Sequence, residues 1–301
     1  MGLYLHRFNI RDLEEFSGVK AHTIRMWEKR YGLLRPDRTD TNIRTYGLEE
    51  LKSILNVAFL NRHGHKISKI AAMSPGERDL LVREMAAASG QDDGTVEMLK
   101  VAMLGFDEVM FDSVASKFRE ANGFRALVER VFVPLLERIG LLWQANAICP
   151  AQEHFVSNII RHKLIVATDA LPMQAAGAGP TYVLYLPENE IHELGLLYLN
   201  YLLRAKGCRT IYLGQSVPRS DLGQVAAMFT GPLVLVSVLM ADPPVSEVPA
   251  YLTALRADLP DPRIKFWIAG AQLARTEPMN VPDGMSLHPS LNALVSTVDQ
   301  A

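Results

Sequence analysis

At 301 residues, with 49% apolar and 21% charged side chains, the chain has the length of about two domains and enough apolar material to bury their cores. That composition excludes a disordered or fibrous polypeptide. No apolar run reaches the roughly 18 residues that a membrane-spanning helix needs, and Arg7, Arg11, Asp12, Glu14 and Glu15 leave no apolar signal segment, so a cytoplasmic protein with no membrane partner is expected. Cys149 and Cys208 are the only cysteines and form no C-x-x-C pair, which points to two plain buried thiols. The net charge of −2 hides a division: residues 1–70 hold 13 Lys and Arg against 8 Asp and Glu, and the remainder 18 against 25. The basic end is the candidate binder of a polyanion.

In chain order, Ile10, Leu13 and Phe16 at helical spacing, the break Ser17-Gly18-Val19 and the run Lys20 to Tyr31 predict a helix-turn-helix. The turn-forming stretch from Arg35 to Tyr46 predicts a small hairpin wing. Leu51, Ile54, Leu55, Ala58 and Phe59 mark a helix to about His63, where His63-Gly64-His65 breaks it, and another starts near Ile67. From about residue 75 to 171 the apolar period stays helical, with breaks expected at 90–94, Asn122-Gly123, Gly140 and Ile148-Cys149-Pro150, which reads as a four-helix bundle. Met26, Met98, Met103 and Met110 fit as core filler. The small, uncharged run 172–180 is a linker. Beyond it, β-rich runs at 182–186, 210–213, 233–238 and 265–269 alternate with helical stretches at 191–206, 219–229 and 246–258, the pattern of a doubly wound parallel sheet. The expected fold is therefore multidomain, α and α/β: a winged helix-turn-helix over 1–75, a helical bundle over 76–171, a linker over 172–180 and a flavodoxin-like domain over 181–301.

In a helix-turn-helix the second helix lies in the major groove, so Lys20, His22, Thr23 and Arg25 are candidates to reach base edges of double-stranded DNA. Arg38 and Arg44 on the wing, with Lys29 or Arg30, are candidates for phosphates, which position without specifying sequence. The run from Thr23 to Pro36, with Arg38 and Arg44-Thr45-Tyr46, resembles MerR-type transcription regulators over about 70 residues. The resemblance implies dimeric binding to palindromic promoter DNA, usually distorted, with Arg25, Trp27 and Arg44, and beside them Tyr46, as contacts. The long C-terminal dimerisation helix of that family has no counterpart here, so assembly into a homodimer or homotetramer falls to the later domains.

The motif Glu190-Ile191-His192-Glu193-Leu194-Gly195 comes after the first predicted strand of the α/β domain, at the end where open α/β sheets bind ligands. An imidazole there can ligate a metal, and a carboxylate two residues earlier can accept its other N–H and fix the tautomer. Gly195 would leave room for a large flat ligand. Alone, a histidine at a helix start is more often a solvated or capping residue. Ser237-Val238-Leu239 and Gly270-Ala271, at the ends of the third and fourth predicted strands, join the same crevice, and the set resembles the cobalamin-binding domain of methionine synthase and the base-off mutases. That resemblance implies His192 as the lower ligand of cobalt, Glu190 as its partner, Ser237 as a contact to the displaced benzimidazole tail and Gly270 as part of the tail slot, with Ala271 in place of a second glycine.

Trp143, followed after nine intervening residues by Glu153-His154, offers an indole as a flat cover and two polar groups, although a core tryptophan and a helix-start pair would read alike. Between a MerR-type and a cobalamin-type domain, the spacing resembles the light-sensing adenosylcobalamin repressors of carotenoid genes, the CarH and LitR type, over essentially the whole chain. In that family adenosylcobalamin is sandwiched between bundle and sheet, favours a DNA-binding oligomer in the dark and loses its adenosyl group in light. Well-behaved members carry a histidine next to the tryptophan; here Gln144, a poor cobalt ligand, stands there. No Ser-His-Asp order, phosphate loop or dinucleotide fingerprint supports an enzyme. A methyl carrier or mutase subunit would share the C-terminal motif but not the N-terminus, and a regulator that no longer binds cobalamin is the other alternative.

Overall fold

A computed structural model describes residues 8–39, 42–89, 92–144, 148–173 and 179–300, without the side chains of residues 48, 83, 84, 86–89, 141, 143 and 144. The chain divides into two compact units, Met1–Ile159 and Ile160–Ala301. No described helix is long and apolar enough to cross a membrane.

In the first unit, α1 (Ile10–Ser17) starts at a reciprocal cap: Asn9 Oδ1 accepts from the Arg11 and Asp12 N–H groups, and Asp12 accepts from the Asn9 N–H. It ends at Gly18, whose φ of 70° is costly for residues with a Cβ. α2 (Ala21–Tyr31) has no cap of its own, and Glu14 of α1 supplies one by accepting the Ala21 N–H at 3.0 Å. The wing consists of β1 (Asp37–Arg38) paired antiparallel with β2 (Arg44–Thr45), and Tyr46 bridges back to Phe8. Next in the chain are α3 (Leu48–Arg62), α4 (Ile67–Ala72) and α5 (Pro75–Ser89), then α6 (Asp92–Leu104) and α7 (Glu108–Asn122). Gly123 separates α7 from α8 (Phe124–Leu127), which continues through a π-helical turn, Val128–Phe132, into α9 (Val133–Gln144). That widened turn ends just before Pro134, whose nitrogen has no proton to donate to the preceding turn. Gly140, expected as a break, lies inside α9; one glycine costs a helix about 1 kcal/mol and packing overrides it. α10 (Pro150–Asp169) completes the helical region, and the two units divide within it.

In the second unit, β3 (Thr181–Pro187), α11 (Leu194–Ala205), β4 (Arg209–Val217), α12 (Arg219–Ala227), β5 (Leu233–Val238), α13 (Val248–Asp258), β6 (Ile264–Ala269), α14 (Ala271–Arg275), β7 (Met285–His288) and α15 (Leu291–Gln300) build a five-stranded sheet. Every pairing is parallel and the order is β4-β3-β5-β6-β7, the flavodoxin-like doubly wound topology. β3 and β5 are buried along their whole length, which explains continuous apolar runs where a half-exposed strand would alternate. α12 and α13 pack with Val183, Tyr185, Leu235 and Phe266 into one core, and α11 packs with α15. The order in which strands are added reverses between β3 and β5, so the loops after these two strands part and leave a crevice at their carboxyl ends.

Gly270 secures this end of the sheet. At φ 135°, a Cβ there would lie 2.2 Å from the Leu239 carbonyl oxygen, inside backbone that does not yield. Gly270→Ala should destabilise the second unit by more than about 2 kcal/mol; a urea midpoint equal to the parent's would show that the crossing can open without cost.

Candidate functional site

Glu190 organises the crevice. Its carboxylate is fully buried and accepts six hydrogen bonds. Oε1 takes the backbone N–H of Ile191 at 2.9 Å, that of His192 at 3.0 Å and the His192 ring Nδ1 at 2.5 Å. Oε2 takes the backbone N–H groups of Met240, Ala241 and Asp242 at 2.9, 2.6 and 3.1 Å. Burial opposes ionisation, but the hydrogen bonds from His192 and these amides outweigh it and lower the carboxyl from 4.5 to about 2. An ionised Glu190 at Nδ1 fixes the proton there, which makes Nε2 the lone-pair nitrogen of a ring whose side chain is 57% exposed.

A second carboxylate braces the other side of His192. Glu193, buried at the start of α11, accepts the Tyr212 hydroxyl of β4 at 2.9 Å and pairs with Arg161 of α10. Burial and this carboxylate together push the Tyr212 hydroxyl far up from its ordinary value, so it stays a donor. His192 thus stands between two anchored carboxylates. The sequence reading missed Glu193, Tyr212 and Arg161, since nothing in their spacing pairs residues so far apart.

Ser237, near the end of β5, is fully buried, and apart from the neighbouring Tyr185 hydroxyl its Oγ meets no partner among the described residues. Gln272 Oε1 and His288 Nε2, just after β6 and at the end of β7, are buried without partners. Such under-satisfied polar atoms at one end of one sheet are the pattern expected of groups that await a ligand. Leu239 is buried in the core, and Gly270 faces its backbone. The space beside Gly195 is filled by Leu291 and Val238 at ordinary contact distance, so this glycine serves close helix-to-sheet packing where room for a flat ligand was expected. A tautomer-fixed imidazole above a buried hydroxyl fits a metal-centred ligand with a hydrogen-bonding appendage. In the other unit, Glu153 and His154 sit in the first turns of α10 with Oε2 and Nδ1 2.7 Å apart and the imidazole 70% exposed. The side chains of Trp143 and Gln144 lie outside the described residues.

In the winged helix-turn-helix, His22, Arg25, Lys29 and Arg30 are exposed along α2, Thr23 is partly buried, and Lys20 at its start pairs with Glu14 at 2.9 Å. Arg38 is exposed on the wing. Trp27 and Tyr46, expected to touch DNA, are core residues, 5% and 0% exposed. Their bulk is spent on burial in the core rather than on an exposed face. Arg44 is half-buried, its Nε donating to Glu28 at 3.0 Å while the Tyr46 hydroxyl donates to the other Glu28 oxygen at 3.0 Å. Glu28, unnoticed in the sequence, therefore fastens the wing to α2. Met26, expected in the core, is 50% exposed beside Arg25. Met98 and Met103 are buried as expected.

A winged helix-turn-helix succeeded by a helical region and a doubly wound sheet bearing this histidine site is the architecture of a transcription regulator with an added ligand-binding-type domain. Residues 8–77 match the MerR HTH family regulatory proteins, and residues 95–167 match the B12 binding domain. The chain is 30% identical over 272 residues to the HTH-type transcriptional repressor CarH of Myxococcus xanthus, covering 88% of this chain and 89% of the relative. It is 31% identical over 255 residues to the repressor CarA of the same organism, covering 84% of each. A monomethylamine corrinoid protein of Methanosarcina barkeri superposes with a TM-score of 0.55 at 16% identity, over 70% of this chain and all of that one, a likeness of fold. The chain belongs to the family of MerR-type transcriptional repressors that carry a B12 binding domain, the group of CarH and CarA.

The Glu190 anchor has a pH signature. Because its folded-state pKa lies below the unfolded one, its contribution is complete above about 4.5 and is lost as pH falls toward about 2. A lowering of this size is worth about 3 kcal/mol at neutral pH. The stability difference between parent and Glu190→Gln should shrink across that window, measured by urea denaturation from pH 6 to 3; a constant difference would mean that the carboxylate is not held ionised.

Proposed function

We propose that the protein is a cobalamin-responsive transcription repressor in which the carboxyl end of the sheet binds the cofactor and cofactor state controls assembly and DNA binding. The observation that carries the reading is the Glu190–His192 pair: a buried anionic carboxylate at 2.5 Å from Nδ1 orients an exposed imidazole toward a metal. His192 would ligate the cobalt, Glu190 would set its tautomer, Ser237 would offer its hydroxyl to the cofactor, and Leu239 and Gly270 would shape the backbone beside it. Trp143, Glu153 and His154 are further candidate contacts to the cofactor. When bound, cobalamin supplies a cobalt ion that takes a nitrogen ligand and, in its adenosyl form, a cobalt–carbon bond that light can cleave.

The coupling is one of linkage: a ligand that engages two parts of a chain stabilises only the arrangement in which both reach it, and so shifts the population that binds DNA. Adenosylcobalamin in the dark favours the homodimer or homotetramer that holds double-stranded promoter DNA, and light releases it. At the DNA, Lys20, His22, Thr23 and Arg25 face base edges, and Arg38 and Arg44 face phosphates.

His192→Ala should cut cobalamin affinity at least tenfold and alter the visible spectrum while the chain still folds, with a urea midpoint lowered only by the lost hydrogen bond to Glu190, since the exposed ring contributes no core packing; unchanged binding and spectrum would remove the axial role. For the switch, DNA affinity and sedimentation should differ among the cofactor-free, dark-loaded and green-illuminated protein. Equality of all three would instead favour a regulator that ignores cobalamin. At the wing, Arg38→Ala should weaken DNA binding evenly across sequences and reduce the slope of log K against log salt by about 1; a loss confined to one sequence would make Arg38 a base contact.

A further inference from the structure

A cavity of about 160 Å³ lies in the first unit where α3 meets α5, α6 and the start of α7. Arg78 of α5 lines it, is only 7% exposed, and its Nη1 is buried without a hydrogen-bond partner. No ion pair to Arg78 forms among the described residues, and burial pulls its pKa down. The nearby Asp79 charge offsets part of that cost, but a buried guanidinium N–H left without an acceptor remains expensive.

The neighbouring carboxylates stay charged, but their hydrogen bonds go to donors other than Arg78. Asp79 accepts the Asn56 amide at 2.6 Å, Glu49 accepts the Lys52 ammonium at 3.3 Å, and Asp107 caps α7 by accepting the Met110 N–H at 2.9 Å. What the cavity lacks is an acceptor for Arg78. Its other wall is apolar, made by Val82, Val101, Met110 and Pro75.

We propose that this cavity is a binding site for a small organic carboxylate with a short apolar body, its oxygens on Arg78 and its carbons on the Val82–Val101 side. Such a ligand touches both α3, which belongs to the MerR-like span, and the later helices α6 and α7, so its occupancy bears on how the two are held together.

The test is calorimetric titration of the full-length protein with butyrate, with inorganic phosphate and chloride at matched ionic strength as comparisons. Saturable butyrate binding that Arg78→Met weakens at least tenfold is expected, as loss of a charged hydrogen bond requires. Arg78→Met should also melt no lower than the parent without ligand, since it removes a buried donor that no acceptor meets. Lys52→Met, at the rim, should weaken butyrate severalfold and serves if Arg78→Met folds poorly. Absent butyrate binding, equal binding by phosphate, or equal affinity in parent and both variants would overturn the proposal.

Discussion

The second unit depends on a single buried negative charge. Two loops leave the sheet in opposite directions at the crevice, and neither has regular structure to satisfy its amides. The Glu190 carboxylate gathers the N–H groups of residues 191 and 192 from one loop and 240 to 242 from the other, so the crevice keeps its width because both loops hold the same two oxygens. The five amides lower the cost of burying the anion, and the anion in turn orders them. His192 is positioned as a by-product of this arrangement and needs no packing of its own.

The first unit uses charge differently, to join the helix-turn-helix to α6 and α9 of the helical region. Lys100 of α6 is nearly buried; its ammonium donates to the Phe16 carbonyl at the end of α1 at 2.9 Å and pairs with Glu97 at 2.8 Å. Glu97 also meets Arg138 of α9 at 3.1 Å. One carboxylate therefore links α6 to α9 within the same network that reaches α1. Burial lowers the Lys100 pKa, and the bonds to Glu97 oppose that shift and keep the contact charge-assisted.

Much of this was legible from the residues. The apolar periods located α1 to α3 and four of the five parallel strands, because buried strands and amphipathic helices impose their spacing on the chain. β7 was not seen: Met-Ser-Leu-His is four residues at the sheet's edge, half-exposed and too short to have a period. Glu190 and His192 were found because they lie two apart at a strand end. Glu193 with Tyr212 and Arg161, and Glu28 with Arg44 and Tyr46, were missed because their partners are 16 to 32 residues away and only the folded chain brings them together. Trp27 and Tyr46 misled for the opposite reason: an aromatic beside basic residues on a binding helix suggests a contact, while its volume is used inside.

The Glu28 bridge has a mechanical consequence. A hairpin of two residue pairs has no stiffness of its own, yet here its base is clamped through Arg44 and the Tyr46 hydroxyl to the helix beside it. Helix and hairpin behave as the two jaws of a caliper with a fixed gap. A duplex gripped by such a tool has to supply the compliance itself, by adjusting groove width or bend until both jaws seat, so the stiffness of the base steps between the jaws becomes part of what the protein reads.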